Sequence, residues 1–68
     1  MLEFQLKSEY IELVKLLKLL GLAETGGHAK ILVEEGEVSL NGTREFRKRA
    51  KLRKGDIVSI FDKKIRII

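Results

Sequence analysis

The sequence predicts an α+β domain in which two short helices pack against a small, mostly antiparallel sheet. Two observations carry this reading. Apolar residues recur at helical spacing from Tyr10 to Leu20 and again from Ala29 to Val33. Beyond Gly36 they recur at every second position between turn signals.

The elements follow in order. Leu2, Phe4 and Leu6 alternate with Glu3, Gln5 and Lys7, the period of a half-buried strand. Ser8 is placed to cap a helix whose first turn holds Glu9 and Glu12, acids that suit the positive end of a helix dipole. Tyr10, Leu13, Val14, Leu17 and Leu20 form its apolar stripe, while Ile11, Leu16 and Leu19 lie off the centre of that stripe. Gly21 ends the helix with Leu22 in reach of Leu17, as in a Schellman motif. A short connection leads to a second helix, capped by Thr25 and running to about Glu35, with Ala29, Leu32 and Val33 inward and Gly36 as its stop. Val38 and Leu40 belong to a short strand, and Asn41-Gly42 is a hairpin turn that needs positive φ at both positions. The returning arm begins near Thr43, and Lys54-Gly55-Asp56 turns it into a strand over 57–61. Asp62-Lys63 makes the next turn and 64–68 the last strand.

With 68 residues and no Cys, the chain is expected to be one small domain over residues 1–68 without disulfides or a thiolate metal site. A single His leaves no metal cluster, and no cofactor is expected. No Ser-centred nucleophile motif or paired-carboxylate site is evident, so the protein reads as non-catalytic. The N-terminal segment lacks a basic n-region and an apolar h-region, no run approaches the ~20 residues of a membrane span, and a cytoplasmic, monomeric protein is expected.

Charge is unevenly placed. The net charge is +4, yet residues 44–54 alone hold seven bases and one acid, Glu45, leaving seven bases and nine acids for the rest of the chain. A basic segment on a slightly acidic body is the footprint of a polyanion binder, because a merely solvated face usually mixes its signs.

The run Leu13…Leu17…Gly21-Leu22-Ala23…Thr25…Ala29…Leu32-Val33…Gly36…Val38…Leu40-Asn41-Gly42, with Lys51-Leu52…Gly55-Asp56-Ile57 beyond it, resembles a known family. This is the RNA-binding domain named after small-subunit ribosomal protein S-four, the alpha-L motif. The resemblance covers residues 12–60, about three-quarters of the chain. Thr25-Gly26-Gly27-His28-Ala29-Lys30 and the Arg47-Lys48 cluster are similar to a short, stand-alone bacterial subfamily. The resemblance implies structured RNA as the partner, often ribosomal RNA, and a binding face built from the start of the second helix and the segment after the hairpin. Two familiar family contacts are replaced here, by Glu12-Leu13-Val14 and by Thr25-Gly26, so residues 44–54 are expected to carry more of the binding.

The expected site residues are Thr25, Gly26, Gly27, His28 and Lys30 on the second helix, with Arg44, Arg47, Lys48, Arg49, Lys51, Arg53 and Lys54 on the arm. Two glycines at a helix start either offer bare N–H groups to a phosphate or let the helices approach closely. His28 reads equally as a phosphate donor, a stacking ring or a plain surface residue. The arm is expected to curl, since a flat strand would put Arg47, Arg49, Lys51 and Arg53 on one face and Lys48 and Lys54 on the other. Phe4, Tyr10 and Phe61 read as core, leaving Phe46 as the one ring free enough to stack. So few exposed rings favour shape and backbone recognition of folded RNA over single-strand binding. Glu34 and Glu35 on a short helix disfavour docking in a DNA major groove. Nonspecific DNA binding and an adaptor for an acidic protein partner are the alternatives, the second drawing on Ile11, Leu16 and Leu19 as an apolar contact.

Overall fold

A computed structural model describes all 68 residues, Met1–Ile68. Strand β1 (Leu2–Phe4) and the two-residue strand β2 (Ile11–Glu12) precede helices α1 (Leu13–Leu19) and α2 (Gly26–Glu34). Strands β3 (Val38–Leu40), β4 (Thr43–Arg44), β5 (Lys51–Leu52), β6 (Ile57–Ile60) and β7 (Lys63–Ile67) follow. The main sheet has the order β1-β7-β6-β3-β4 and is antiparallel except for the β1–β7 pair; β2 and β5 form a separate antiparallel pair. The expected α+β class holds.

Helix α1 starts four residues later than a Ser8 cap predicts, with Glu12 in the N-cap position. Ser8 instead donates to the Tyr10 carbonyl at 2.8 Å and caps nothing. Residues 11 and 12 are extended because they pair with Leu52 and Lys51. The first helical N–H groups find their acceptors on another part of the chain: Leu13 donates to the Ala50 carbonyl at 2.9 Å and Val14 to the Lys48 carbonyl at 3.3 Å. Orphan donors at a helix start need such partners, and here tertiary pairing outcompetes a local cap. The late start also turns the helix. Leu16 is fully buried beside Leu13 and Leu17, Ile11 is buried in β2, and Tyr10 is 38% exposed.

Both helices end as their glycines predict. After α1, Leu22 donates to Leu17 and Gly21 to Lys18, with Gly21 at φ 73°. After α2, Glu37 donates to Leu32 and Gly36 to Val33, with Gly36 at φ 78°. These are the paired bonds of a Schellman motif, which require a left-handed residue that glycine adopts without strain. Asn41 and Gly42 take φ 52° and 87°, so the β3–β4 hairpin has the expected turn.

The last hairpin is shifted by one residue. The turn is Phe61-Asp62, Ile60 pairs with Lys63, and Phe61 sits at φ 56°, an uncommon place for an aromatic residue. The register explains it. Val58, Ile60, Ile65 and Ile67 are all buried, and a one-residue slip would turn one strand's pair of isoleucines or its partner's apolar residues to solvent. Phe61 is therefore 60% exposed rather than core. Phe4, on the edge strand, is half-buried.

Sixteen buried apolar residues form one core, drawn from α1, α2, the sheet and the basic arm, and no polar side chain is buried. The end of the arm is tied to the β3–β4 hairpin by side-chain amide and carboxylate. Asp56 accepts from the Arg53 N–H at 2.8 Å and from the Asn41 Nδ2 at 3.1 Å, while Asn41 Oδ1 accepts from the Ile57 N–H at 2.8 Å. Asp56→Ala is expected to lower stability by about 1–2 kcal/mol in urea unfolding. It is also expected to speed amide exchange at Arg53 and Ile57, where α1 keeps its protection.

Candidate functional site

The basic arm, residues 44–54, is held by its backbone, and its cationic side chains point outward. Glu45 donates its N–H to the Val38 carbonyl as the arm leaves β4, the turn at Lys48-Arg49 closes with Ala50 N–H to the Arg47 carbonyl at 3.2 Å, and β5 pairs with β2. Ala50 and Leu52 are buried while Arg49, Lys51 and Arg53 are exposed. That is the period of two expected for this face. The curl is real: two short strands and two turns replace a single strand.

Three of the seven cations are paired within the protein. Arg47 holds both Glu45 carboxylate oxygens, at 3.0 Å through Nε and 2.9 Å through Nη2. Lys48 reaches Glu34 at 3.5 Å, and Arg49 Nε donates to Glu12 at 3.2 Å. The Lys48–Glu34 and Arg49–Glu12 pairs are solvent-exposed and contribute only about 0–1 kcal/mol each, so a polyanion can take over those cations at small cost, whereas the Glu45 side chain is only 13% exposed and holds Arg47 more firmly.

The start of α2 is a reciprocal cap. Thr25 Oγ1 accepts from the His28 N–H at 3.0 Å, and His28 Nδ1 accepts from the Glu24 N–H at 3.2 Å. With Nδ1 occupied as an acceptor, Nε2 is the ring nitrogen left to donate outward. The glycines serve no packing role. A Cβ on Gly26 would meet nothing within 4 Å, and one on Gly27 only Thr25 Oγ1 at 3.8 Å. Close approach of the helices is thus excluded as their purpose, and what they leave is uncovered backbone at the positive end of the α2 dipole.

Between the helices and the arm lies an open groove of ≈ 540 Å³ lined by Lys15, Lys18, Lys30 and Arg49, with Glu12 and Val14. Lys30 and Arg49 are expected site residues; Lys15 and Lys18 are not, although their three-residue spacing outside the apolar stripe places them on one helix face. Gly26, the first residue of α2, precedes Lys30 by four residues, about one helical turn. The remaining arm cations divide among other surfaces. Arg47, Arg49 and Lys51 line a second groove, and Arg53 and Lys54 line a third with Lys7. Arg44 lies at the other end of α2, its Cδ 3.7 Å from where a Gly36 Cβ would stand. Phe46 covers the same glycine, its Cε1 3.3 Å from that Cβ position, and is 58% exposed. The apolar patch of Ile11, Leu16 and Leu19 does not form, because only Leu19 is exposed.

No group of acids and histidine could hold a metal ion, and no helix is long and apolar enough to cross a membrane.

Comparison with known proteins agrees with this architecture. The family model for the S4 domain matches residues 4–68. The YbcJ protein of Escherichia coli (strain K12) is 41% identical over 62 residues, spanning 91% of this chain and 89% of that protein, and the YbcJ of Shigella flexneri matches to the same extent. The solution structure of E. coli YbcJ, described as revealing an alpha-L motif involved in RNA binding, superposes with a TM-score of 0.75 at 40% identity. That match covers 100% of this chain and 87% of the YbcJ chain.

Hydrogen bonds from the Arg47 side chain hold the Glu45 carboxyl below its usual range. A carboxyl depressed in the folded state stabilises it above its unfolded pKa, about 4.3, and that contribution disappears as pH falls through the folded value. The stability difference between the wild type and Glu45→Gln is therefore expected to be constant from pH 7 to about 5 and to shrink below about 4.3. Urea unfolding at pH 7 and pH 3 checks this.

Proposed function

Because this chain belongs to the S4-domain family, we propose that it binds structured RNA, ribosomal RNA in the first place, without transforming it. The observation that carries this reading is the groove in which α1, α2 and the arm bring Lys15, Lys18, Lys30 and Arg49 together, one turn from the uncovered start of α2. Its one acid, Glu12, is already paired with Arg49. The RNA-binding involvement described for the alpha-L motif of YbcJ supports the same reading.

A phosphate fits the start of α2, where Gly26 and Gly27 offer N–H groups, Thr25 holds the turn and the His28 Nε2–H donates. Lys30, Lys18 and Lys15 continue the track to Arg49, and Lys51, Arg53 and Lys54 extend it along the arm. Arg47 and Lys48 join once the phosphate backbone replaces Glu45 and Glu34 as their partners. Cations on three separate elements match the spaced phosphates of a folded RNA. A ribosome-associated role in the cytoplasm follows from this partner.

With about five phosphates neutralised, log K is expected to fall with log salt at a slope of roughly −3.5 to −4.5. Lys18→Ala with Lys30→Ala should reduce the size of that slope by about two and weaken binding broadly. Arg47→Ala with Lys48→Ala should weaken binding less, since part of their charge is spent on Glu45 and Glu34. Equal slopes for the wild type and the first double variant would remove the groove from the interface.

Gly27→Glu is expected to leave the fold intact, because the site is open and an acid suits a helix start. It should nevertheless weaken RNA binding about tenfold, ~1.4 kcal/mol. Filter binding to a folded ribosomal RNA hairpin, with duplex DNA of equal charge as competitor, reads both effects. Displacement of the hairpin by the DNA at equal concentration would argue for a generic polyanion surface instead.

A further inference from the structure

We propose that Tyr10 and the groove beneath it form a slot for one unpaired nucleobase of the bound RNA; this rests on the RNA-binding reading above. Tyr10 is 38% exposed, and Lys51 Nζ and Arg53 Cζ lie over its ring, 4.9 Å and 5.8 Å from the centroid. It stands in the wall of an open groove of ≈ 650 Å³ whose apolar lining comes from Phe4, Leu6, Ile11 and Leu19. That volume lies in the range of about 300–1,000 Å³ typical of small-ligand sites.

The slot's neighbours argue for its occupant. It shares Glu12 and Lys15 with the basic groove between the helices. It shares Leu6, Lys7, Ser8 and Glu9 with the groove lined by Arg53 and Lys54. An apolar, aromatic-walled cleft between two phosphate-attracting surfaces fits a nucleotide that leaves the stack. Its base enters the cleft while the backbone on either side runs over the cations. The two cations at the ring edge the same path, since Arg49, Lys51 and Arg53 share one face of the arm and Arg49 lines the basic groove. Phe61, the other well-exposed ring besides Phe46, lies at the β6–β7 turn and lines none of these grooves. The β2–β5 ladder makes the placement rigid, because residue 10 enters a strand paired directly to Leu52 and Lys51.

Tyr10 is the only tyrosine and the chain has no tryptophan, so intrinsic fluorescence reports this ring alone. The experiment compares an RNA hairpin carrying a single-nucleotide bulge with the same hairpin fully paired, for the wild type, Tyr10→Phe and Tyr10→Leu. The bulged RNA is expected to quench Tyr10 more strongly and to bind more tightly. Tyr10→Leu should lose about tenfold in affinity for the bulged RNA and little for the paired one, while Tyr10→Phe keeps the preference. Equal quenching by both RNAs, with Tyr10→Leu binding both as the wild type does, would overturn the slot and leave the RNA-binding reading standing. Binding of neither RNA at low salt would overturn both, and a protein partner would then be the occupant to seek.

Discussion

The architecture depends on the contact between the basic arm's backbone and the start of α1. The carbonyls of Ala50 and Lys48 take the N–H groups of Leu13 and Val14, and the adjoining β2–β5 ladder continues the contact by two residue pairs. A helix start without a side-chain cap needs acceptors, and an arm rich in like charges needs an anchor that does not use its side chains. Each solves the other's problem. The helix is capped, the arm is held, and its cations remain outside. Ala50 and Leu52, buried within the core, lock the same contact from the arm's other face.

The second constraint is electrostatic. Seven bases on eleven residues repel one another, and the fold offsets part of this by bringing Glu12, Glu34 and Glu45 to Arg49, Lys48 and Arg47. Exposed pairs such as Lys48–Glu34 and Arg49–Glu12 are screened by salt and contribute little to stability, so the arm's position rests on its backbone bonds. The glutamates' presence in a cationic face is thus compatible with anion binding. Their exchange for phosphates would leave the local charge balanced in both states.

The proposed interface differs in shape from a simple basic stripe. The arm supplies only part of it, α1 contributes Lys15 and Lys18, and the start of α2 contributes backbone donors rather than charge. An apolar cleft lies alongside. A surface assembled from several elements recognises the three-dimensional arrangement of a folded nucleic acid better than its net charge, because the phosphates must match fixed positions on separate parts of the scaffold.

Much of this was determined by the sequence itself. The positive-φ demands of Gly21, Gly36 and Asn41-Gly42 are local and unambiguous, so helix ends and the first hairpin were legible. The class of fold and the charge of residues 44–54 were legible for the same reason, since composition and period need no partner. Other features belonged to the tertiary structure alone. Ser8 offers a local cap, but pairing with residues 51–52 extends the chain at that point, which moves the helix start to Leu13, buries Ile11 and Leu16, and sends Tyr10 outward. The burial of four residues on β6 and β7 sets their register and forces Phe61 into the turn. Except for Arg47 and its neighbour Glu45, which cations are paired and which meet across the groove depends on residues far apart in sequence, as Lys15–Lys30 and Glu12–Arg49 show. Local propensity acts over a few residues, whereas such long-range contacts exist only once the core has closed.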